Sequence, residues 1–308
     1  AGHDVTLFDL WTEHMAAVRE QGLRVEGVSG DFRVHPIAVD RPGDVAESDI
    51  ALIYVTANDT KDAAKTAARV LGPAGYALTL QNGIGNVESL SEELGPGRVV
   101  AGVTHHSAAM AGPGHVRHTH SGPNWIGELD GTTTPRLSEL VDLLTGAGHE
   151  VVVVDDVIAQ IWNKFVLNCG INAISAVTGL RLGEIARTPS VDRFQDLVID
   201  EILAVVEAKG IRLPDPHPRK SIKDHTRSKY NQPSMLQHVE YGKRTEIDAL
   251  NGALVEEARK LGLSAPYNEA LTLLTKGVER HRIRVVHEPP LDYDELEAEA
   301  KAETAAGG

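Results

Sequence analysis

A single cysteine, Cys169, stands in this chain of 308 residues, which excludes an intramolecular disulfide and any cage of thiolate metal ligands. Such usage fits a reducing compartment. Basic charge is in deficit: the formal net charge is −14, which argues against nucleic acid or an anionic membrane as partner. Long apolar runs are missing too. None reaches the roughly 18 residues that a membrane span needs, and the most apolar stretch, 157–177, is interrupted by Gln160, Asn163, Lys164, Asn168 and Asn172. The opening residues show no basic-then-apolar leader pattern, so a cytoplasmic setting is expected. Part of the negative charge sits at the end, where residues 288–308 hold seven acids and one lysine. This tail is expected to be solvated and mobile.

What is present, 42% hydrophobic and 24% charged residues, is a globular composition in a chain long enough for two cores. Val5, Thr6, Leu7 and Phe8 make a strand run ending at Asp9, and Thr12 is the expected cap of a helix to Gln21. Residues 23–29 and 32–39 alternate about Gly30 and Asp31 as a hairpin or meander would. Residues 50–55 are nearly continuously apolar, as in a parallel sheet buried on both faces. A helix over 59–71, a strand over 76–80, the turn Gln81-Asn82-Gly83, a helix over 87–94, a strand over 99–104, a helix over 135–145 and a strand over 150–154 continue the alternation. This pattern predicts an α/β fold, a Rossmann-like doubly wound sheet. After Asp155 and Asp156 the β signal vanishes, and 157–177, 191–209, 221–229, 246–261 and 268–281 read as helices. The expected organisation is a dinucleotide-binding domain over 1–155, an all-α substrate and catalytic domain over 156–285, and the acidic tail over 286–308.

In a dinucleotide-binding unit, an acid ending the second strand accepts hydrogen bonds from the adenosine ribose. It follows a G-x-G-x-x-G turn by about 20 residues. Asp9 is placed as that acid would be, and counting back from it puts the glycine turn upstream of residue 1. The expectation is therefore a chain without the first strand, the phosphate loop and most of the first helix. Asp9 read alone is equally a strand-end turn residue.

Gln160, Lys164, Asn168 and Asn172 recur every four residues in an otherwise apolar stretch, which places them on one slowly drifting stripe of a helix. A helix apolar on its other sides is buried, so the stripe has to face polar partners or a cleft. A buried lysine is driven toward a pKa useful for proton transfer. The alternative is a lysine snorkelling to the surface beside amides bonded between helices. Glu246 is expected to open a helix, where the dipole alone would favour a carboxylate, and Ser234 after Pro233 reads by itself as an N-cap. His105, His106, His115, His118 and His120 crowd one region, but no carboxylate cluster accompanies them, and no metal site is expected. Cys169 reads as a small core residue and Trp125 as packing.

Taken together, these segments resemble the ketopantoate reductases (2-dehydropantoate 2-reductases). The resemblance is carried by Trp162-Asn163-Lys164-Phe165 with Asn168 and Asn172, and by Gln81-Asn82-Gly83. It is carried also by Pro233-Ser234-Met235-Leu236-Gln237 leading into Gly242-Lys243-Arg244-Thr245-Glu246-Ile247-Asp248, and by Gly112-Pro113-Gly114-His115-Val116. The segments stand in the family's order over roughly residues 1–283. The resemblance implies that Lys164 is the general acid for a ketone being reduced and that Glu246 orients this chemistry. It further implies that Asn168, Asn172 and Ser234 bind a small 2-keto acid, and that Asn82 lies on the nicotinamide side of the cofactor. The implied reaction is 2-dehydropantoate to pantoate, on the route to pantothenate and coenzyme A.

Two departures bear on this. Thr56 stands where many members carry a lysine, and Asp9 stands in a region where NADPH-preferring members carry a basic residue. A carboxylate repels a 2′-phosphate, so the cofactor is NADP by family habit, with NAD favoured by Asp9. Two other readings stay open: a dehydrogenase of another branched or aromatic 2-hydroxy acid, and an inactive fragment or binding module. A homodimer is left open as well.

Overall fold

The structure is a computed structural model that describes residues 2–306. Its contacts divide the chain into two compact units. The first runs to Asn168 and takes in Val206–Pro218, and the second holds Cys169–Val205 and resumes at Arg219. The change from strand to helix falls near residue 155, as the sequence pattern has it, while the compact units part about one helix later.

The first unit contains eleven strands among the described residues: β1 (Thr6–Phe8), β2 (Leu23–Gly27), β3 (Phe32–Val34), β4 (Ile37–Val39), β5 (Ser48–Ile53), β6 (Leu71–Thr79), β7 (Val99–Thr104), β8 (Ser107–Gly112), β9 (His115–His120), β10 (Asn124–Glu128) and β11 (Val151–Val153). Its helices are α1 (Thr12–Gln21), α2 (Thr60–Val70), α3 (Asn86–Leu94), α4 (Pro135–Gly146) and α5 (Val157–Cys169). The central sheet has the order β11-β10-β7-β6-β5. In it β5, β6 and β7 are parallel, β10 is antiparallel to β7, and β11 is parallel to β10.

Successive side chains of a strand point to opposite faces, and this sheet has a core on each. Ala77 and Val99 join Ala64, Ala67, Leu90 and Leu94 from α2 and α3. Tyr76, Leu78 and Val100 join Leu137, Leu140 and Leu144 from α4. Full burial of each large aliphatic side chain contributes roughly 1.5–3 kcal/mol. Helices on both faces of a largely parallel sheet are the doubly wound arrangement read from the sequence.

The expected hairpin or meander over 23–39 is realised only in part. β2 and β3 pair antiparallel across a turn in which Gly30 has φ +104°, but residues 37–39 leave it to form β4, parallel to β1. β2 also pairs with β9, and β9 with β8, giving a second sheet of order β3-β2-β9-β8.

The second unit is helical, with α6 (Asn172–Thr178), α7 (Leu182–Ile185), α8 (Pro189–Ala208), α9 (Pro218–Ser228), α10 (Ser234–Glu240), α11 (Asn251–Lys260), α12 (Pro266–His287) and α13 (Tyr293–Ala306). α6 packs against α10 and α12, and α11 packs against α12. The start of α12 carries backbone donors without intrahelical partners. The Glu201 carboxylate accepts from two of them, the Tyr267 and Asn268 N–H groups, each at 2.9 Å. The acidic tail carries α13, exposed from Tyr293 to Ala305. Its Ala, Glu and Lys content favours helix, and Lys301 pairs with Glu297 one turn earlier at 2.7 Å.

The single helix expected over 157–177 is instead two, α5 and α6, separated at Gly170 and Ile171. Glycine in a helix interior costs about 1 kcal/mol relative to alanine, and the carbonyls freed at the break are bonded by buried side chains. Asn251 Nδ2 donates to the Cys169 carbonyl at 3.0 Å and Gln195 Nε2 donates to the Gly170 carbonyl at 3.0 Å. Both amides are fully buried.

Candidate active site

Lys164 lies on α5. That helix buries Val157, Ala159, Trp162, Phe165, Val166 and Cys169, leaving Gln160, Lys164 and Asn168 half-buried along one side. The Lys164 ammonium donates to the Thr104 carbonyl oxygen at 2.7 Å. Charge assistance strengthens such a bond and fixes the end of an otherwise flexible side chain. Thr104 closes β7, and Gly102 two residues earlier brings that strand close to β10. A Cβ at Gly102 would lie 2.2 Å from the Trp125 carbonyl oxygen. The Thr104 hydroxyl accepts from the His106 N–H at 3.1 Å, turning the chain toward β8.

Asn82 follows β6 and is held by a chain of side-chain bonds. Asn86 Nδ2 donates to the Asn82 carbonyl at 2.9 Å, and Thr60 Oγ1 donates to Asn86 Oδ1 at 2.8 Å. Gln81 Nε2 donates to Thr60 Oγ1 at 2.8 Å and to the Val55 carbonyl at 2.7 Å. Gly83, at φ +86°, then makes the turn with a conformation that L side chains rarely adopt. Asp9 is exposed just after β1, and its Oδ1 accepts from the Trp11 N–H at 2.8 Å. Trp11, not Thr12, is the residue capping α1. Thr56 donates its hydroxyl proton to Asp59 Oδ2 at 2.7 Å.

The histidines form a contact cluster. His106 Nδ1 lies 3.0 Å from His118 Nε2, His118 Nδ1 lies 3.1 Å from Ser29 Oγ, and the His106 and His149 rings are 5.1 Å apart. Burial pushes the His106 imidazole below its ordinary value, and His149, His118 and His120 push the same way. Among the described residues, no three His, Cys, Asp or Glu side chains converge as a metal would need.

In the second unit, Asn172 is the first residue of α6 and is 7% exposed. It therefore does not continue the α5 stripe. Ser234 is the exposed first residue of α10, and Pro233 is the N-cap in its place. The packing of α6 on α10 joins the elements that carry these two residues. Glu246 is 9% exposed and precedes a single 3-10 turn, Ile247–Ala249, not the long helix expected. Leu250, at φ −111° and ψ −106°, interrupts before α11 begins at Asn251, whose side chain turns inward to the Cys169 carbonyl.

Sequence reading passed over His238, which stands on α10 one turn beyond Ser234. Burial pushes its imidazole below the ordinary value; Glu246 pulls against that, Lys243 pushes with it and Glu279 pulls against it. It also passed over Thr104, Gln81 and Asn86. Only Gln81 lay inside a recognised motif.

Residues 1–131 match the family described as Ketopantoate reductase PanE/ApbA, and residues 156–279 match its C-terminal domain. The chain is 33% identical over 277 residues to a 2-dehydropantoate 2-reductase of Halobacterium salinarum, covering 90% of this chain and 91% of that protein. It is likewise 33% identical over 280 residues to one of Archaeoglobus fulgidus, covering 91% of each. Among solved structures, a PanE/ApbA family ketopantoate reductase from Ralstonia eutropha superposes with TM-score 0.84 at 34% identity, over 91% of this chain and 92% of that one. A D-mandelate dehydrogenase at 23% identity shares the fold, with TM-score 0.83 over 91% of this chain and 92% of that one. The chain belongs to the ketopantoate reductase PanE/ApbA family.

Proposed function

We propose that this chain reduces 2-dehydropantoate to pantoate with a nicotinamide cofactor. The bond between Lys164 and the Thr104 carbonyl carries the reading within the structure, because it holds an ammonium in a half-buried setting. The reduction adds a hydride to the carbonyl carbon and a proton to its oxygen. Negative charge builds on that oxygen, and a fixed cationic donor stabilises it strongly. Lys164 gives the proton, and Glu246 accepts from the nascent hydroxyl and keeps it oriented. Asn168, Asn172 and Ser234 bind the keto acid.

The residues at the strand ends fit a dinucleotide. Asp9 follows β1, and Asn82 follows β6 in a turn stiffened by Gln81 and Asn86; the carboxyl ends of strands are where such cofactors bind in open α/β sheets. The reduced nicotinamide, when bound, supplies the hydride. Asp9 accepts from a ribose 2′-hydroxyl and repels a 2′-phosphate, so NADH is the preferred reductant.

Thr56, engaged with Asp59, favours one rival, a branched or aromatic 2-keto acid as substrate. A panel of 2-dehydropantoate and such acids, each with NADH and NADPH, separates the two by kcat/KM. The highest value is expected for 2-dehydropantoate with NADH. Absence of cofactor oxidation with every acid would overturn the proposal.

A further inference from the structure

The break between α5 and α6 is gripped from several sides, and Asn172 is the first residue beyond it. In an uninterrupted helix the Cys169 and Gly170 carbonyls would accept from the N–H groups of residues 173 and 174. Side-chain amides reach both: Asn251 Nδ2 bonds the first and Gln195 Nε2 the second, each at 3.0 Å. Each amide is braced in turn. Asn251 Nδ2 also donates to Asn268 Oδ1 at 2.9 Å, and Asn268 Nδ2 donates to Glu201 Oε2 at 2.7 Å. Gln195 Nε2 also donates to Thr226 Oγ1 at 3.1 Å, and that hydroxyl donates to the Ile222 carbonyl at 2.8 Å. Helices α8, α9, α11 and α12 thus converge on two successive peptide groups, all within the second unit. The oxygens Gln195 Oε1 and Asn251 Oδ1 are closed off from solvent without a partner among the described residues. That is costly, so the benefit of these two amides lies in their donor ends. Asn172 is the reverse case. Among the described residues its side chain bonds to no protein group, and its polar atoms are not closed off from solvent.

Resting on the proposed binding of the keto acid by Asn172, we propose that Asn251 and Gln195 are positioning residues for that side chain. By fixing the Cys169 and Gly170 peptides they set where α6 begins, and with it the direction from which the Asn172 amide meets the acid. An amide that holds the acid equally before and at the transition state contributes to KM and not to kcat. Neither Asn251 nor Gln195 touches the acid; both act through residue 172.

The test is a double-mutant cycle on steady-state reduction of 2-dehydropantoate, in which coupled residues show non-additive effects. Asn251→Ala removes one grip. Gln195→Met removes the other while keeping the side chain's length, and it carries the test alone should Asn251→Ala not fold, as thermal melts will show. Each is expected to raise KM for the keto acid roughly tenfold while leaving kcat and KM for NADH within about twofold. In an Asn172→Ala background, the same substitutions should raise KM for the acid by less than about twofold. A full rise in that background would mean that they act by another route and would overturn the assignment. So would an unchanged KM in the single variants, or a loss of kcat together with both KM values, which is the mark of a merely structural role. Asn172→Ala with wild-type KM for the acid removes Asn172 from the substrate and this assignment with it. A wild-type chain that does not reduce the acid fails earlier, at the proposed reaction itself.

Discussion

The Lys164 ammonium and the Thr104 carbonyl oxygen, 60 positions apart in sequence, meet at 2.7 Å. The anchor is a main-chain atom, so it survives any side-chain change at position 104. Lys164→Ala should lower kcat by roughly 10²–10⁴-fold, read in single-turnover reduction with saturating keto acid. Thr104→Val keeps the carbonyl and loses only the hydroxyl that accepts from the His106 N–H, so its rate should fall much less. A Lys164→Ala enzyme near wild-type speed would remove the lysine from the mechanism.

Cofactor choice should rest on Asp9, exposed just after β1. Replacing it with Asn keeps a hydrogen-bonding side chain and deletes the charge facing a 2′-phosphate. The ratio of kcat/KM for NADPH to that for NADH should then rise about tenfold, the effect of removing one like-charge contact. An unchanged ratio would mean that the ribose is read elsewhere.

Glu128 is 4% exposed, and it accepts from Arg136 Nε at 2.8 Å, from Arg136 Nη2, and from the Thr134 hydroxyl at 2.5 Å. Burial would raise its pKa, but the bonds from Arg136 and Thr134 outweigh that and hold it below the ordinary value. Arg136→Met leaves the carboxylate buried without its cation and should destabilise the fold by roughly 3–5 kcal/mol, measured by urea denaturation. Glu128→Gln combined with Arg136→Met should cost less than Arg136→Met alone. The wild-type contribution is present above the unfolded-state pKa and fades as pH falls through the lower folded value.

His225, half-buried on α9, has the opposite charge type. Burial, assisted by Lys229, holds its imidazole at about 4 against an ordinary 6.5. On acidification the unfolded chain takes up this proton first. The contribution is therefore complete above pH 6.5, declines below it and levels off near pH 4. Full linkage over that interval is roughly 3 kcal/mol, and solvent screening at the half-buried ring brings the expected loss to about 1–2 kcal/mol. His225→Gln should flatten the stability profile between pH 6.5 and 4. A profile unchanged by that substitution would place the acid sensitivity in other groups.

The doubly wound sheet was legible because strand and helix periodicities alternate openly from β5 to β11, and the class change at residue 155 is compositional. Motif order made Lys164, Glu246, Ser234 and the amides visible as candidates. Other features were hidden for physical reasons. The four-residue spacing of Gln160, Lys164, Asn168 and Asn172 runs straight through the Gly170 break, and the amides that stabilise the break come from positions 195 and 251. No local window contains them. The anchor of Lys164 is a peptide oxygen, which every residue has, so no letter of the sequence marks it. His238 follows the Pro233-Ser234-Met235-Leu236-Gln237 segment directly, and only burial of its Nδ1 distinguishes it from a surface histidine.

The break at Gly170 also bears on how opening motions are distributed. Its two freed carbonyls are bonded by Gln195 of α8 and Asn251 of α11, each within a fully buried amide. A joint of this kind is usually the first place a helix frays. Here fraying would strand two buried donors at once, so α8 and α11 have to loosen together with it. Deuterium uptake across residues 169–175 should therefore be among the slowest in the second unit, and substituting Asn251 with Ala should speed uptake at this joint before the rest of that unit responds.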